Sequence, residues 1–214
     1  MQSVSVFNIQ NNGNSFKLDD FENSWTEEIN EVSETLKFEL FVNEEVQGFK
    51  RIHISMDEPF AIKARVLNTE INQVIITSKF EGFYNVNSKQ IIILANKKSA
   101  ERIAEQIGIE LKTEVLKVVF DLQKIIQNAA DVKRTQFRSL QLETINGSSL
   151  TGNKVTNTEI YRMMLEAGEL SNIAVLYPFD GNQVNFTISD SGSIVLLTSL
   201  DEEEIIQLIL ELTT

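Results

Sequence analysis

Apolar and polar residues alternate along much of this chain. "SVSVFNI" (Ser3–Ile9), "LKFELFV" (Leu36–Val42) and "FKRIHIS" (Phe49–Ser55) each carry the two-residue period of a half-buried strand. "NNGN" (Asn11–Asn14) supplies a turn after the first of them. Over Asp19–Val32 the apolar residues Phe21, Trp25, Ile29 and Val32 stand four, four and three apart, and that spacing predicts an amphipathic helix. A second, short helix is predicted over Asp57–Leu67, entered through Pro59, because proline suits a first helical turn.

Three strands are predicted next, at Val74–Thr77, Phe83–Val86 and Ile91–Ala95, followed by a helix over Ser99–Ile109. Glu114–Ala130 mixes both signals, strand-like in "VLKVVF" and helical in "LQKIIQNAA". "KRTQFRSLQLETI" (Lys133–Ile145) reads as a strand and "NGSSLTGNKVTNT" (Asn146–Thr158) as a loop. A helix over Ile160–Ala167, capped by Thr156 or Thr158, should end at Gly168. Strands at Ile173–Tyr177, Val184–Ser189 and Ile194–Thr198 lead to a last helix over Asp201–Leu212, with Asp201 as its cap.

The pattern also suggests an internal repeat. "VIITSKFEG" (Val74–Gly82) aligns without a gap to "IAVLYPFDG" (Ile173–Gly181), and "YNVNSKQIIIL" (Tyr84–Leu94) matches "FTISDSGSIVLL" (Phe186–Leu197). A basic strand with a Lys-Arg pair precedes each copy. If the chain is duplicated, Phe80 should superpose on Phe179 and Gly82 on Gly181. Convergence is the competing reading, since any hairpin followed by a helix tends to spell a turn glycine and an apolar triplet. The expected fold class is α+β: a mainly antiparallel sheet with helices packed on it, in two strand–helix–three-strand–helix units. The expected organisation is an acidic strand and helix region over 1–45, a first unit over 46–130 and a second over 131–214, with one continuous domain as the alternative.

Composition narrows the function without naming it. At 214 residues and 42% apolar content the chain can bury a real core. Having no cysteine, it can form no disulfide framework, thiol nucleophile or zinc–thiolate site. The start of the chain reads as neither a secretory signal nor a membrane span, so a cytoplasmic protein is expected. Heavy use of isoleucine and asparagine, whose codons are AT-rich, points to a low-GC bacterium or a mobile element.

The net charge of −12 is unevenly spread. Residues 1–48 carry −8 and residues 139–214 carry −9, whereas residues 49–138 carry +5. A basic centre between acidic ends can define separate binding faces. Lys50, Arg51, Lys133, Arg134 and Arg138 lie on the two basic strands and are the candidate nucleic-acid contacts, with Phe49 and Phe137 able to stack on bases.

Candidate chemistry elsewhere is thin. His53, the one histidine, should point away from the core if Ile52 and Ile54 face it, and Asp57 and Glu58 are its nearest acids in sequence. The acidic run Asp201–Glu204 lacks the alternation of a calcium loop and suits a first helical turn. "GSSLTGNK" (Gly147–Lys154) places its lysine one position late for a phosphate loop, and "SDSG" (Ser189–Gly192) reads as a hairpin turn rather than a nucleophile elbow. No catalytic residue, cofactor or metal is therefore expected. The leading expectation is a non-catalytic protein-interaction subunit of an intracellular complex, with a protein partner or a second copy bound and no membrane. The alternative is a nucleic-acid-binding module.

Overall fold

A computed structural model describes residues 1–10, 18–67, 69–142 and 144–213. In chain order the strands and helices are β1 (Gln2–Ile9), β2 (Phe21–Ile29), β3 (Val32–Val46), β4 (Phe49–Val66), β5 (Thr69–Asn85), β6 (Gln90–Leu94), α1 (Lys97–Leu111), β7 (Val115–Lys117), α2 (Leu122–Asn128), β8 (Asp131–Leu142), β9 (Ile145–Thr151), α3 (Glu159–Ala167), β10 (Glu169–Phe179), β11 (Asn182–Ser189), β12 (Ser193–Leu196) and α4 (Glu202–Thr213). The class is α+β, and the strand pairs are antiparallel. Two compact units result, Asn8–Leu116 and Met1–Phe7 with Lys117–Thr214. The turn predicted at 11–14 lies outside the described residues.

In the Asn8–Leu116 unit the strands run β2–β3–β4–β5–β6. The helix predicted over 19–32 is instead the β2–β3 hairpin, whose register runs from Phe21↔Leu40 to Ile29↔Val32. Spacing of four satisfies both periods, helical and extended, so Phe21, Trp25 and Ile29 line one face of a strand as readily as of a helix. Asn30 and Glu31 decide between them. Both take left-handed backbone, φ 51° and 65°, the two-residue turn that matches the twist of a hairpin. The Asn30 side chain then locks the turn by donating to the Gln73 carbonyl (2.9 Å) and accepting from the Asn72 amide (3.2 Å).

The helix predicted over 57–67 is likewise absent, because β4 runs straight through it, paired with β5 from Lys50↔Tyr84 to Val66↔Thr69. Pro59 fits because the β3 pairing ends at Phe38↔Met56, so beyond Met56 β4 has, among the described residues, a strand on one side only and needs no donor on the other. The same ladder fuses two predicted strands, 74–77 and 83–86, into one long β5.

Leu36, Phe38, Leu40, Ile52, Ile54 and Met56 are buried, as are Ala100, Ile103, Ala104 and Ile107 of α1. Asn96 caps α1 by accepting from the Ser99 amide (3.1 Å). Arg102 of α1 reaches β2, with a 3.1 Å ion pair to Glu27 and its guanidinium 5.9 Å from the Trp25 ring centre.

In the other unit β8 pairs with both β9 and β10, and β10–β11–β12 continue as a meander. The loop predicted over 146–158 begins as strand β9 and ends in a single 3-10 turn, Val155–Asn157. Helix α3 opens where Thr158 accepts from the Tyr161 amide (3.2 Å) and ends at Gly168. Alternate residues of β10 and β11, Ile173, Val175, Tyr177, Val184, Phe186 and Ile188, are buried, together with Ile205, Ile206, Leu208 and Ile209 of α4. A satellite core gathers Phe137, Leu140 and Tyr161.

The two predicted repeat segments agree in part. Residues 84–94 and 186–197 each form strand, turn and strand ahead of a helix. The superposition of Phe80 on Phe179 and Gly82 on Gly181 is not confirmed: Phe80 and Gly82 lie inside β5, whereas Phe179 ends β10 and Gly181 (φ +72°) turns into β11. The two glycines are required for different reasons. A Cβ on Gly82 would sit 2.5 Å from the Ile92 carbonyl oxygen, while one on Gly181 meets nothing within 4 Å. Urea unfolding should therefore show Gly82→Ala losing about 3 kcal/mol, the upper end of overpacking costs, and Gly181→Ala losing about 1 kcal/mol through left-handed strain alone. A larger loss at Gly181 would reverse this assignment.

All three tyrosines resist ionisation in the fold. Burial raises Tyr84 and Tyr161 above the ordinary phenol value of 10.0, and burial with the Glu211 hydrogen bond (3.0 Å) pushes Tyr177 up to about 12. A raised phenol favours the folded state below pH 10 and loses that stabilisation as pH climbs toward the folded value, since the unfolded chain releases its protons first. Phenolate absorbance of the folded protein should rise well above pH 10, and that of the urea-unfolded chain near pH 10. Coincident titrations would contradict the burial of these rings.

Candidate functional site

The open face of β3, β4 and β5 gathers the most varied chemistry. Register sets Glu39 opposite Ser55 and Ser55 opposite Lys79, while the next row carries Phe41, His53 and Glu81. Because Ile52 and Ile54 are buried, alternation turns His53 outward, as expected from sequence. Its Nδ1 stands 3.8 Å from Glu81 Oε1, and both side chains are half-exposed. Phe41 is 48% exposed beside them. These residues, with Ile54 and Phe80, line a cleft of about 550 Å³. A second hollow of about 380 Å³, lined by Asn43, Glu44, Arg51 and His53, shares the histidine.

Asp57 and Glu58 do not serve His53. Asp57 accepts from the Thr77 hydroxyl (2.6 Å) and the Lys37 amide (3.0 Å). Glu58 accepts from the Ser99 hydroxyl (3.0 Å) at the start of α1, so both acids hold the fold. Phe41, Lys79 and Glu81 escape sequence reasoning because their place beside His53 depends on strand register. The alternation of "LKFELFV" could have marked Phe41 as outward-facing, but not its neighbours.

The five basic candidates divide between the units. Lys50 and Arg51 are consecutive in an unbroken stretch of the β4–β5 ladder, so their side chains leave on opposite faces. Lys133 is the extra residue of a β-bulge, where Ala174 and Val175 face Arg134 and Val132. The bulge turns Lys133 and Arg134 away from buried Val132 and Thr135.

Two of these cations are held by carboxylates of the same unit. The Lys133 ammonium bonds Asp131 (2.5 Å) and Asn153 (2.8 Å), and together with the Lys154 amide it keeps the Asp131 carboxyl below the usual range. Arg138 contacts Glu169 (3.1 Å) and Asp190 (2.7 Å), which raise its already high pKa further. Phe49 and Phe137 are buried, so neither ring can stack on a base as expected; the hydrophobic gain of the core has claimed both.

The acidic run at the start of α4 forms a reciprocal capping box. Asp201 Oδ1 accepts from the Glu204 amide (2.9 Å), and Glu204 Oε2 accepts from the Asp201 amide (2.8 Å). Among the described residues no three His, Cys, Asp or Glu side chains are grouped to hold a metal ion. Asp201→Ala should lower stability by about 1 kcal/mol, and calorimetric titration with magnesium, calcium or manganese should give no heat that this substitution removes. A micromolar site lost with Asp201 would overturn the capping role. No family model matches this chain, and no curated protein matches it.

Proposed function

We propose that this protein is a non-catalytic protein-interaction subunit of an intracellular bacterial or mobile-element complex, working in the cytoplasm. The observation that carries the reading is the open face of β3–β5, where exposed Phe41 lies among Glu39, Lys79, Glu81 and His53 in a shallow cleft. An aromatic anchor ringed by polar and charged groups of both signs is the make-up of a protein-binding patch. A phosphate backbone asks instead for cations collected without nearby acids, and Lys133 and Arg138 are neutralised by Asp131, Glu169 and Asp190. The strand–turn–strand–helix segments at 84–111 and 186–213 are the part of the internal repeat that this reading retains. Among the described residues no helix is long and apolar enough to cross a membrane.

The test is stoichiometric recovery of a partner by tagged protein from its native cells. Wild type should retain one defined protein in near-equal amount, and Phe41→Asp should lose it while keeping its circular dichroism spectrum; equal recovery by both would remove this face from the reading. Fluorescence anisotropy with labelled DNA and RNA at low salt addresses the alternative. Binding that weakens with salt and disappears in an Arg51→Glu, Arg134→Glu double variant would favour a nucleic-acid module.

A further inference from the structure

Strand β9 is the outermost strand of its unit, paired with β8 and, among the described residues, with nothing on its other side. Unpaired strand edges template further pairing, and stable monomers guard them with charge, proline or bulges. The outermost strand of the other unit, β2, is guarded in this way, because "FENSWTEEI" carries Glu22 and Glu28 beside Glu27, which Arg102 pairs. β9 is not guarded. "INGSSLT" holds no charged residue and no proline over its whole length.

Helix α3 adds a second observation at the same edge. It connects β9 to β10, which are parallel to each other because both are antiparallel to the intervening β8. Such crossovers are right-handed. Tyr161, Met164 and Leu165 face the satellite core over β8. At about 100° per residue, that hand puts Ile160 and Met163 on the flank above the outside of β9, and Arg162 and Glu166 on the flank toward β10. Ile160 is 53% exposed and Met163 47%. An apolar ledge therefore overhangs a neutral, unpaired strand.

We infer that β9 is the contact between two copies of this chain, joined antiparallel edge to edge about a two-fold axis. A two-fold contact sets each residue against the same surface patch of its partner, so like charges on the edge would oppose one another. The neutral β9 tolerates self-pairing where glutamate-bearing β2 does not. The axis places both α3 helices on one face of the joined sheet, about 14 Å apart across three strand spacings. Leu150, which packs against the satellite core on the α3 face of β9, fills that gap from each copy together with Ile160 and Met163. The edge amides gain partners and the ledge is covered in one step. This contact lies outside the β3–β5 face, so Phe41→Asp leaves it intact.

Sedimentation equilibrium of the full chain reads the result. Wild type should dimerise. Ser149→Lys, an exposed change on the strand face away from Leu150, should weaken the dimer about tenfold or more, as should Met163→Lys on the ledge. Glu166→Lys, on the opposite flank of α3, should dimerise as wild type does. Hydrogen exchange should show β9 amides protected in the wild-type dimer and released in Ser149→Lys. A monomeric wild type would overturn the inference, including one that instead accepts a foreign extended peptide at β9. So would a dimer that Ser149→Lys leaves unchanged.

Discussion

Backbone pairing between β4 and β5 is the constraint on which the site-bearing unit rests. Once Lys50 faces Tyr84, the two-residue alternation of side chains assigns each β4 position to a face as far as Ala61, where the register shifts. Ile52, Ile54 and Met56 go to the core, and half-exposed His53 and Ser55 take the other face. The β3 register then sets Phe41 beside His53, and β5 adds Glu81. The shift of one strand by a single residue would bury the histidine and expose the isoleucines, so burial of the apolar face and presentation of the site are one requirement.

Electrostatics work at short range in this protein, whatever its net charge. Three cations of the basic stretch stand in local pairs: Lys133 with Asp131, Arg138 with Glu169 and Asp190, Arg102 with Glu27. What remains on the β3–β5 face is mixed in sign and anchored by an aromatic ring. The two outer strands differ in the same currency, one lined with glutamates and one neutral, and that contrast separates a guarded edge from one open to pairing.

Local signals were legible, and the structure uses them. The last helix starts at a cap formed by Asp201, and Thr158 opens α3. Isoleucines four apart mark α1, and the ambiguous stretch at 114–130 resolves into a short strand followed by a helix, each where its own signal lies. His53 faces outward because its two isoleucine neighbours are buried. Each of these depends on atoms within about one turn or one strand repeat of the residue concerned, a range over which sequence order is also spatial order.

The sequence by itself determined the α+β class, the positions of the capped helices and the outward phase of His53. Only the tertiary structure decided that residues 19–32 and 57–67 are strands. Phe21, Trp25 and Ile29 suit either period, and Pro59 is tolerated because the β3 pairing stops at Met56, a fact about β3 and not about the proline. It likewise decided that Gly82 makes room for the Ile92 carbonyl while Gly181 makes a turn, although both follow a Phe-acid pair. Register, burial of Phe49 and Phe137, and the pairing of Arg102 with Glu27 and of Arg138 with Glu169 and Asp190 all join residues distant in sequence. Their energies come from neighbours that the chain acquires only when it folds.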